Sequence, residues 1–100
     1  MYSVKKIKDI NREVGKAALY EFNKPVKYKI LDYDNDGNEL LVEQEIKYVF
    51  VSSSVVAAET AIFPADKNGR VTDWHILWNE EIVNVEQTIN NYVNYLNERK

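Results

Sequence analysis

Carboxylates recur at every second position in one short stretch of the chain, and oxygen ligands for a hard metal ion have this spacing. The stretch reads Asp32-x-Asp34-x-Asp36-Gly37, and Glu43 follows it. Alternating oxygen ligands, a glycine at the sixth position and a carboxylate at the twelfth make the pattern of a calcium loop. However, Glu39 stands where an aliphatic residue is expected, and the flanking segments alternate like strands. We therefore interpret the stretch as an acidic, solvated hairpin tip and predict neither a metal site nor a cofactor.

Catalytic chemistry has few candidate residues in this sequence. His75 is the one histidine, and the absence of cysteine excludes a thiol nucleophile, a thiolate zinc site and a disulfide framework. Ser52–Ser54, Thr72 and Asp73 are available as partners, yet no nucleophile elbow surrounds them. The three glycines are isolated, so no glycine-rich phosphate loop exists. We predict that the protein is not an enzyme and that His75 is a partly exposed packing or interface residue.

Basic side chains concentrate near the N-terminus. Residues 1–29 hold eight Lys or Arg against three Asp or Glu, whereas the remaining residues hold five against thirteen. A basic surface could contact phosphates of a nucleic acid, dock an acidic protein or simply face solvent. The pI near 5.1 and the missing recognition motif weaken the first reading. The candidate basic residues are Lys5, Lys6, Lys8, Arg12 and Lys16.

Acidic side chains concentrate in one expected hairpin. Carboxylates on an outer face could mimic phosphates and occupy a basic groove of another protein, or they could serve solubility and protect a sheet edge. Two aromatic residues, Trp78 and Tyr95, are candidates for partial exposure at an interface, whereas Trp74 is expected in the core. The candidate acidic residues are Asp32, Asp34, Asp36, Glu39, Glu43 and Glu45.

The spacing of apolar residues predicts the elements that would position these groups. Between residues 7 and 22 the apolar positions recur mostly every three or four residues, which predicts an amphipathic helix ended by Pro25. Residues 26–30 and 40–51 alternate like strands, and Asp34–Asn38 supplies a hairpin turn between them. Residues 60–65 predict another strand, followed by a second turn at 66–69. Asn84 is the expected N-cap of a C-terminal helix, with Gln87 completing a capping box.

Together these elements predict a single α+β domain over residues 1–100. It would contain an N-terminal helix, an antiparallel sheet of three to five strands, and a C-terminal helix packed on one sheet face. The expected core has two sides, a helix side and a strand side. The helix side consists of Val85, Ile89, Val93 and Leu96. The strand side consists of Val26, Tyr28, Ile30, Leu40, Val42, Ile46, Tyr48 and Phe50.

Residues 59–74 have a recognisable pattern. The segment Glu59-Thr-Ala-Ile-Phe-Pro-Ala-Asp-Lys-Asn-Gly-Arg-Val-Thr-Asp-Trp74 resembles small, mostly uncharacterised proteins encoded by bacteriophages and prophages, in which a strand ending in Phe-Pro runs through an Asp/Asn-Gly turn into Val-Thr-x-Trp. The resemblance implies a phage setting and a hairpin. It implies no chemistry.

The sequence therefore favours a non-enzymatic, phage-type protein-binding module that inhibits or modulates a host or defence protein. Two alternatives remain open: a nucleic-acid-binding accessory protein that uses the basic N-terminal helix, and a small self-associating structural protein related to virions. No apolar run resembles a signal peptide or a membrane span, so we expect a cytoplasmic protein without a membrane partner. The sequence does not indicate an oligomeric state.

Overall fold

The computed structural model describes residues 1–99, which fold into one antiparallel sheet with a single helix packed on it. Five strands follow one another across the sheet in chain order, each pairing with the next. No helix in this part of the chain is long and apolar enough to cross a membrane. The elements are β1 (Val4–Arg12), β2 (Gly15–Tyr33), β3 (Glu39–Ser54), β4 (Glu59–Ala65), β5 (Trp78–Glu80) and α1 (Val85–Glu98).

The predicted N-terminal helix is wrong, and with it the two-helix α+β layout. Residues 4–22 form β1 and the first half of β2, which pair as a hairpin. The apolar spacing misled because β2 is covered on both faces, so consecutive residues 17–20 are all buried. In β1, the register shifts by one residue between Lys6 and Lys8. This bulge breaks the two-residue alternation that would identify a strand.

Strands β2 and β3 extend well beyond their neighbours. β1 pairs with β2 only as far as Phe22, and β4 pairs with β3 only from Tyr48 onward. The ladder between β2 and β3 continues through Tyr33 and Glu39. Residues 27–45 therefore form a two-stranded hairpin that projects from the five-stranded sheet, and we call it the tongue.

The main core lies between α1 and one face of the sheet, which we call the front face. Side chains from three central strands and α1 fill it: Ala18, Tyr20, Phe22, Val26, Val49, Val51, Ile62, Ile89, Tyr92 and Leu96. Ile46, Val85 and Val93 pack against this cluster and are partly buried.

The predicted strand side of the core is largely wrong. Val26 joins the core cluster as expected, and Ile46 packs against it. Tyr48 and Phe50 alternate with the core residues Val49 and Val51, so they face the opposite side, which we call the back face. The four remaining residues lie on the tongue, where no helix covers the sheet. They are Tyr28, Ile30, Leu40 and Val42.

Helix α1 begins where the sequence predicts. The Asn84 side chain accepts a hydrogen bond from the Gln87 backbone N–H at 3.0 Å, which confirms the N-cap. The reciprocal half of a capping box is replaced, because the Asn84 N–H donates to the Thr60 hydroxyl at 3.2 Å. Thr60 also donates to the carbonyl of Ile82 at 2.6 Å. The start of α1 is thus fixed to β4 rather than to its own first turn.

Candidate functional site

The turn at the tip of the tongue is held by one carboxylate. Asp34 Oδ1 accepts backbone N–H bonds from Asp36 and Asn38, both at 2.9 Å. The N–H of Gly37 donates to the Asp34 carbonyl at 3.1 Å, and Gly37 has a positive φ of 81°. These bonds, above all the one from the Asn38 N–H, lower the pKa of the Asp34 carboxyl. The predicted hairpin turn is confirmed, and the Asp34 carboxylate is occupied by its own backbone.

The second predicted turn is also confirmed, and it has the same geometry in a different environment. Asp66 Oδ1 accepts from the N–H groups of Asn68 and Arg70 at 2.9 and 3.0 Å. This turn lies on the back face, where Lys8 Nζ donates to the Asn68 carbonyl at 3.2 Å and a Cβ on Gly69 would contact Leu19. A Cβ on Gly37 would contact nothing within 4 Å. The first turn is therefore free and the second is packed.

The back face of the tongue changes from charged to apolar toward its tip. Near the base, Lys27 pairs with Glu45 and Lys29 with Glu43 across the two strands. Further out, Leu31 lies opposite Leu41, and these side chains are 53% and 65% exposed. Tyr33, the next residue of β2 on the back face, is 60% exposed. The outer part of the back face thus leaves three large apolar side chains in solvent.

The front face of the tongue is apolar as well. Ile30 lies opposite Val42, and both are half-buried, while Leu40 beyond them is exposed. Tyr28, nearer the base, stacks on the His75 ring at a centroid distance of 5.7 Å. A solvent-exposed hairpin that binds no other molecule normally has at least one polar face. The tongue has apolar residues on both faces near its tip.

Carboxylates surround these apolar residues. Residues 31–43 contain five Asp or Glu and no Lys or Arg. The predicted acidic residues do share this hairpin, but they do not share one face. Asp32 alternates with the front-face residues, whereas Glu39, Glu43 and Glu45 lie on the back face. Asp34 and Asp36 belong to the turn.

The predicted basic residues lie on the β1–β2 hairpin, and most of them contact other parts of the chain. Lys5 Nζ lies 3.4 Å from Glu21, and Lys6 Nζ lies 3.1 Å from Asp9. A second carboxylate, that of Glu86, lies 3.5 Å from Lys6 Nζ.

Arg12 and Lys8 are engaged in the same way. The Arg12 guanidinium donates to the Ser52 hydroxyl at 2.6 Å and to the Ser53 carbonyl at 3.2 Å. Lys8 holds the packed turn, as described above. Lys16 is exposed, and its backbone carbonyl accepts from the Ser53 hydroxyl. The basic residues therefore do not form one uniform phosphate-binding surface.

The aromatic residues Trp74, Trp78 and Tyr95 differ in their exposure to solvent. Trp74, expected in the core, is 74% exposed and rests edge-on against Phe63 at 5.3 Å between ring centroids. Trp78 is half-buried and lies 4.9 Å from Tyr95, which is 42% exposed. The Trp78 indole N–H donates to Glu80 at 2.7 Å. Trp74 is thus the more exposed of the two tryptophans.

Neither His75 nor any acidic cluster forms a metal centre in the described chain. Within residues 1–99, no three His, Asp or Glu side chains are placed to hold a metal ion. A groove of about 970 Å³ separates the β1–β2 hairpin from the start of α1. Three cationic and three carboxylate side chains line this groove, so its charge favours neither an anionic nor a cationic ligand. The six charged residues are Lys6, Arg12, Lys16, Asp9, Glu13 and Glu86.

Sequence reasoning did not identify the tongue as an exposed apolar surface, although the sequence contains a signal for it. Leu40, Leu41 and Val42 are consecutive, as are Ile30 and Leu31. Such runs place apolar side chains on both faces of a strand, which is typical of a buried strand. In a hairpin with an acidic tip, the same runs indicate a surface that another molecule covers.

Comparison with known proteins yields no relative: no protein-family model, no curated protein and no solved structure matches this chain.

Proposed function

We propose that the protein is a non-enzymatic binding module that inserts the tip of its tongue into a complementary cleft of another protein. One observation carries the proposal: the outer tongue exposes large apolar side chains on both faces. Leu31, Tyr33 and Leu41 lie on the back face, and Leu40 lies on the front. A projecting hairpin with two apolar faces gains stability when both faces are covered at once.

The charge of the tongue defines the kind of cleft that fits it. Five carboxylates and no cation occur between residues 31 and 43. A partner with a basic rim around an apolar cleft would match both features, and opposite charges would accelerate the encounter. The resemblance of residues 59–74 to phage-encoded proteins supports a host or defence protein in the host cytoplasm as this partner.

Nucleic-acid binding has less support. Lys5, Lys6, Lys8 and Arg12 contact groups within the chain. A nucleic acid would have to replace these contacts with phosphates. The exposed tongue requires no such exchange, and we therefore favour protein binding.

The test compares two pairs of apolar side chains at different places on the surface. Leu31→Ser/Leu41→Ser removes the back-face apolar pair of the tongue. Val55→Ser/Val56→Ser removes two side chains that are 62% and 82% exposed in the β3–β4 connection. Both variants reduce exposed apolar area, so loss of non-specific adhesion would affect them alike.

The wild-type protein and both variants are immobilised and incubated with bacterial lysate, and retained proteins are identified by mass spectrometry. We expect a partner that is retained by the wild type and by the Val55/Val56 variant but lost with the Leu31/Leu41 variant. Circular dichroism and thermal unfolding establish that both variants are folded. Retention of the same proteins by all three forms would refute the proposal.

A further inference from the structure

The outer edge of β3 is unpaired along the tongue. β4 ends at Ala65, opposite Tyr48, and within residues 1–99 no strand continues beside residues 40–45. The Tyr33 N–H donates to its neighbour Asp32 at 2.8 Å, whereas the Asp34 N–H donates across the hairpin to Asn38 at 3.0 Å. Along an antiparallel pair, hydrogen-bonded and non-hydrogen-bonded residue pairs alternate. The odd-numbered tongue residues therefore direct their backbone N–H and C=O groups away from the partner strand. In β3 these are Leu41, Glu43 and Glu45.

This open edge has two chemically distinct faces. The back face of β3 carries Glu43 and Glu45 near the base of the tongue and Glu39 and Leu41 further out, whereas the front face carries Leu40, Val42 and Gln44. A strand added beside residues 42–45 would therefore meet carboxylates on one side and uncharged, partly aliphatic side chains on the other. Its own side chains would have to alternate accordingly.

The chain itself contains a strand that satisfies this requirement. On the inner edge of β3, β2 contributes Val26-Lys27-Tyr28-Lys29-Ile30, with Lys27 opposite Glu45 and Lys29 opposite Glu43. Lys27 Nζ also lies 3.9 Å from the Glu43 carboxylate. Val26, Tyr28 and Ile30, which alternate with the lysines, lie on the front face, where Ile30 is opposite Val42. Basic and apolar residues in alternation are thus what β3 already pairs with.

We propose that the outer edge of β3 binds an extended segment of the partner protein in which basic and apolar residues alternate. The segment adds to the sheet as a strand in line with β4, with its basic residues over Glu43 and Glu45. The inference rests on the proposed function and specifies the chemistry of the partner.

The same carboxylates disfavour pairing of this edge with the same edge of a second copy. An antiparallel pair of two such edges would place glutamates of one copy beside glutamates of the other, and like charges opposite each other destabilise a ladder. Charged edges are a common protection against aggregation. Here the charge also gives binding specificity, because it disfavours a second β3 edge and favours a strand with basic residues.

A capped peptide Val-Lys-Tyr-Lys-Ile-Lys-Val, which extends the alternation of residues 26–30, serves as the probe. A control peptide has the same composition with its lysines grouped at one end. NMR titration at low salt should show the alternating peptide binding more tightly. The backbone amides of Leu41, Glu43 and Glu45 should become protected from hydrogen exchange, because they would donate to the added strand.

Two double variants test the role of charge at the edge. Glu43→Gln/Glu45→Gln should weaken binding of the alternating peptide about three- to tenfold, since exposed ion pairs contribute modestly. Glu81→Gln/Glu98→Gln makes the same change of net charge at exposed residues outside the tongue, and binding should stay at the wild-type level. Equal weakening by both variants would mean that only the overall field matters, and strand addition would be wrong.

Two other results would overturn strand addition: equal binding of the grouped peptide, or binding without protection of the three amides. The proposed function can fail separately. If a lysate partner depends on Leu31 and Leu41 but not on Glu43 and Glu45, insertion of the tongue stands and strand addition is wrong. If the peptide binds as expected and no tongue-dependent partner is retained, the edge is selective but the proposed function is wrong.

Discussion

Asp34 and Asp66 occupy the same position in two hairpin turns with matching hydrogen bonds. Each Oδ1 accepts from the N–H groups two and four residues later, at 2.9 to 3.0 Å. In each turn, the glycine three residues after the aspartate donates to the aspartate's carbonyl. The same turn geometry thus occurs twice, once at the free tip of the tongue and once on the back face of the sheet.

Both aspartates should make the fold sensitive to acid. Backbone N–H bonds, chiefly those from Asn38 and Arg70, lower the pKa of Asp34 and Asp66 below the usual 3.8. A carboxylate with a lowered folded-state pKa stabilises the fold above its unfolded pKa, and that contribution disappears as the pH falls through the folded value.

The melting temperature should therefore decrease as the pH is lowered below about 4. In Asp34→Asn/Asp66→Asn an amide oxygen still accepts the turn bonds but does not titrate. Its melting temperature, followed by circular dichroism between neutral and acidic pH, should depend less on pH than that of the wild type. Asp36→Asn is the control, because the turn amides bond to Asp34 rather than to Asp36. A pH dependence unchanged in the double variant would contradict the assignment.

Disrupting the two turns should have different effects on the stability of the whole protein. The turn at Asp66 lies against the back face, where Gly69 is close to Leu19 and the Asn68 carbonyl binds Lys8. Asp66→Ala should lower the urea midpoint of global unfolding, because it loosens the segment that covers Leu19. Asp34→Ala should leave that midpoint nearly unchanged and instead accelerate amide exchange in the tongue. Equal midpoints for the two variants would show that the back-face turn is not part of the cooperative core.

The sequence predicted these turns because their cause is local. An aspartate that accepts the amides of its own turn, and a glycine with positive φ, need no distant residue. The N-cap at Asn84 was predictable for the same reason. The β1–β2 hairpin was not predictable, because Ala18 and Leu19 are buried by different segments on opposite faces. Their spacing then resembles a helix, and only the packed structure distinguishes the two.

Trp74 and the tongue show a second limit of local reasoning. Tryptophan side chains are highly buried on average, yet here the connection to β5 leaves Trp74 exposed against Phe63. Similarly, the alternation of β2 and β3 predicts one covered face along their full length. How far α1 and the neighbouring strands extend decides which part is covered, and no local pattern contains that information.

Gly15 should be the most sensitive of the glycines. Its φ is 151°, and a Cβ there would overlap the carbonyl oxygen of Ser53, a backbone atom that has no freedom to move aside. Gly15→Ala should lower the free energy of unfolding by about 2–4 kcal/mol, measured by urea denaturation. Gly37→Ala adds only backbone strain at φ 81° in open space and should cost about 1 kcal/mol. A smaller loss at Gly15 than at Gly37 would mean that the β1–β2 turn can relax.

The same substitution at two buried threonines should have opposite effects. The Thr60 hydroxyl donates to the Ile82 carbonyl and accepts from the Asn84 N–H, so it joins β4 to the start of α1. Thr60→Val removes both bonds and leaves the partly buried Ile82 carbonyl and Asn84 N–H without this partner, which should cost about 2 kcal/mol. Thr88 is equally buried, but its hydroxyl has no hydrogen-bond partner among the described residues.

Thr88→Val should therefore be neutral or stabilise the fold by up to about 1 kcal/mol, because it replaces an unpaired buried hydroxyl with a methyl group of similar volume. Urea denaturation of both valine variants measures the contrast under identical conditions. Thr88→Ser is the control: it keeps the hydroxyl and removes the methyl group, so it should destabilise the fold by about 1 kcal/mol. A clear loss of stability in Thr88→Val would indicate that the hydroxyl binds an internal water molecule at the foot of α1.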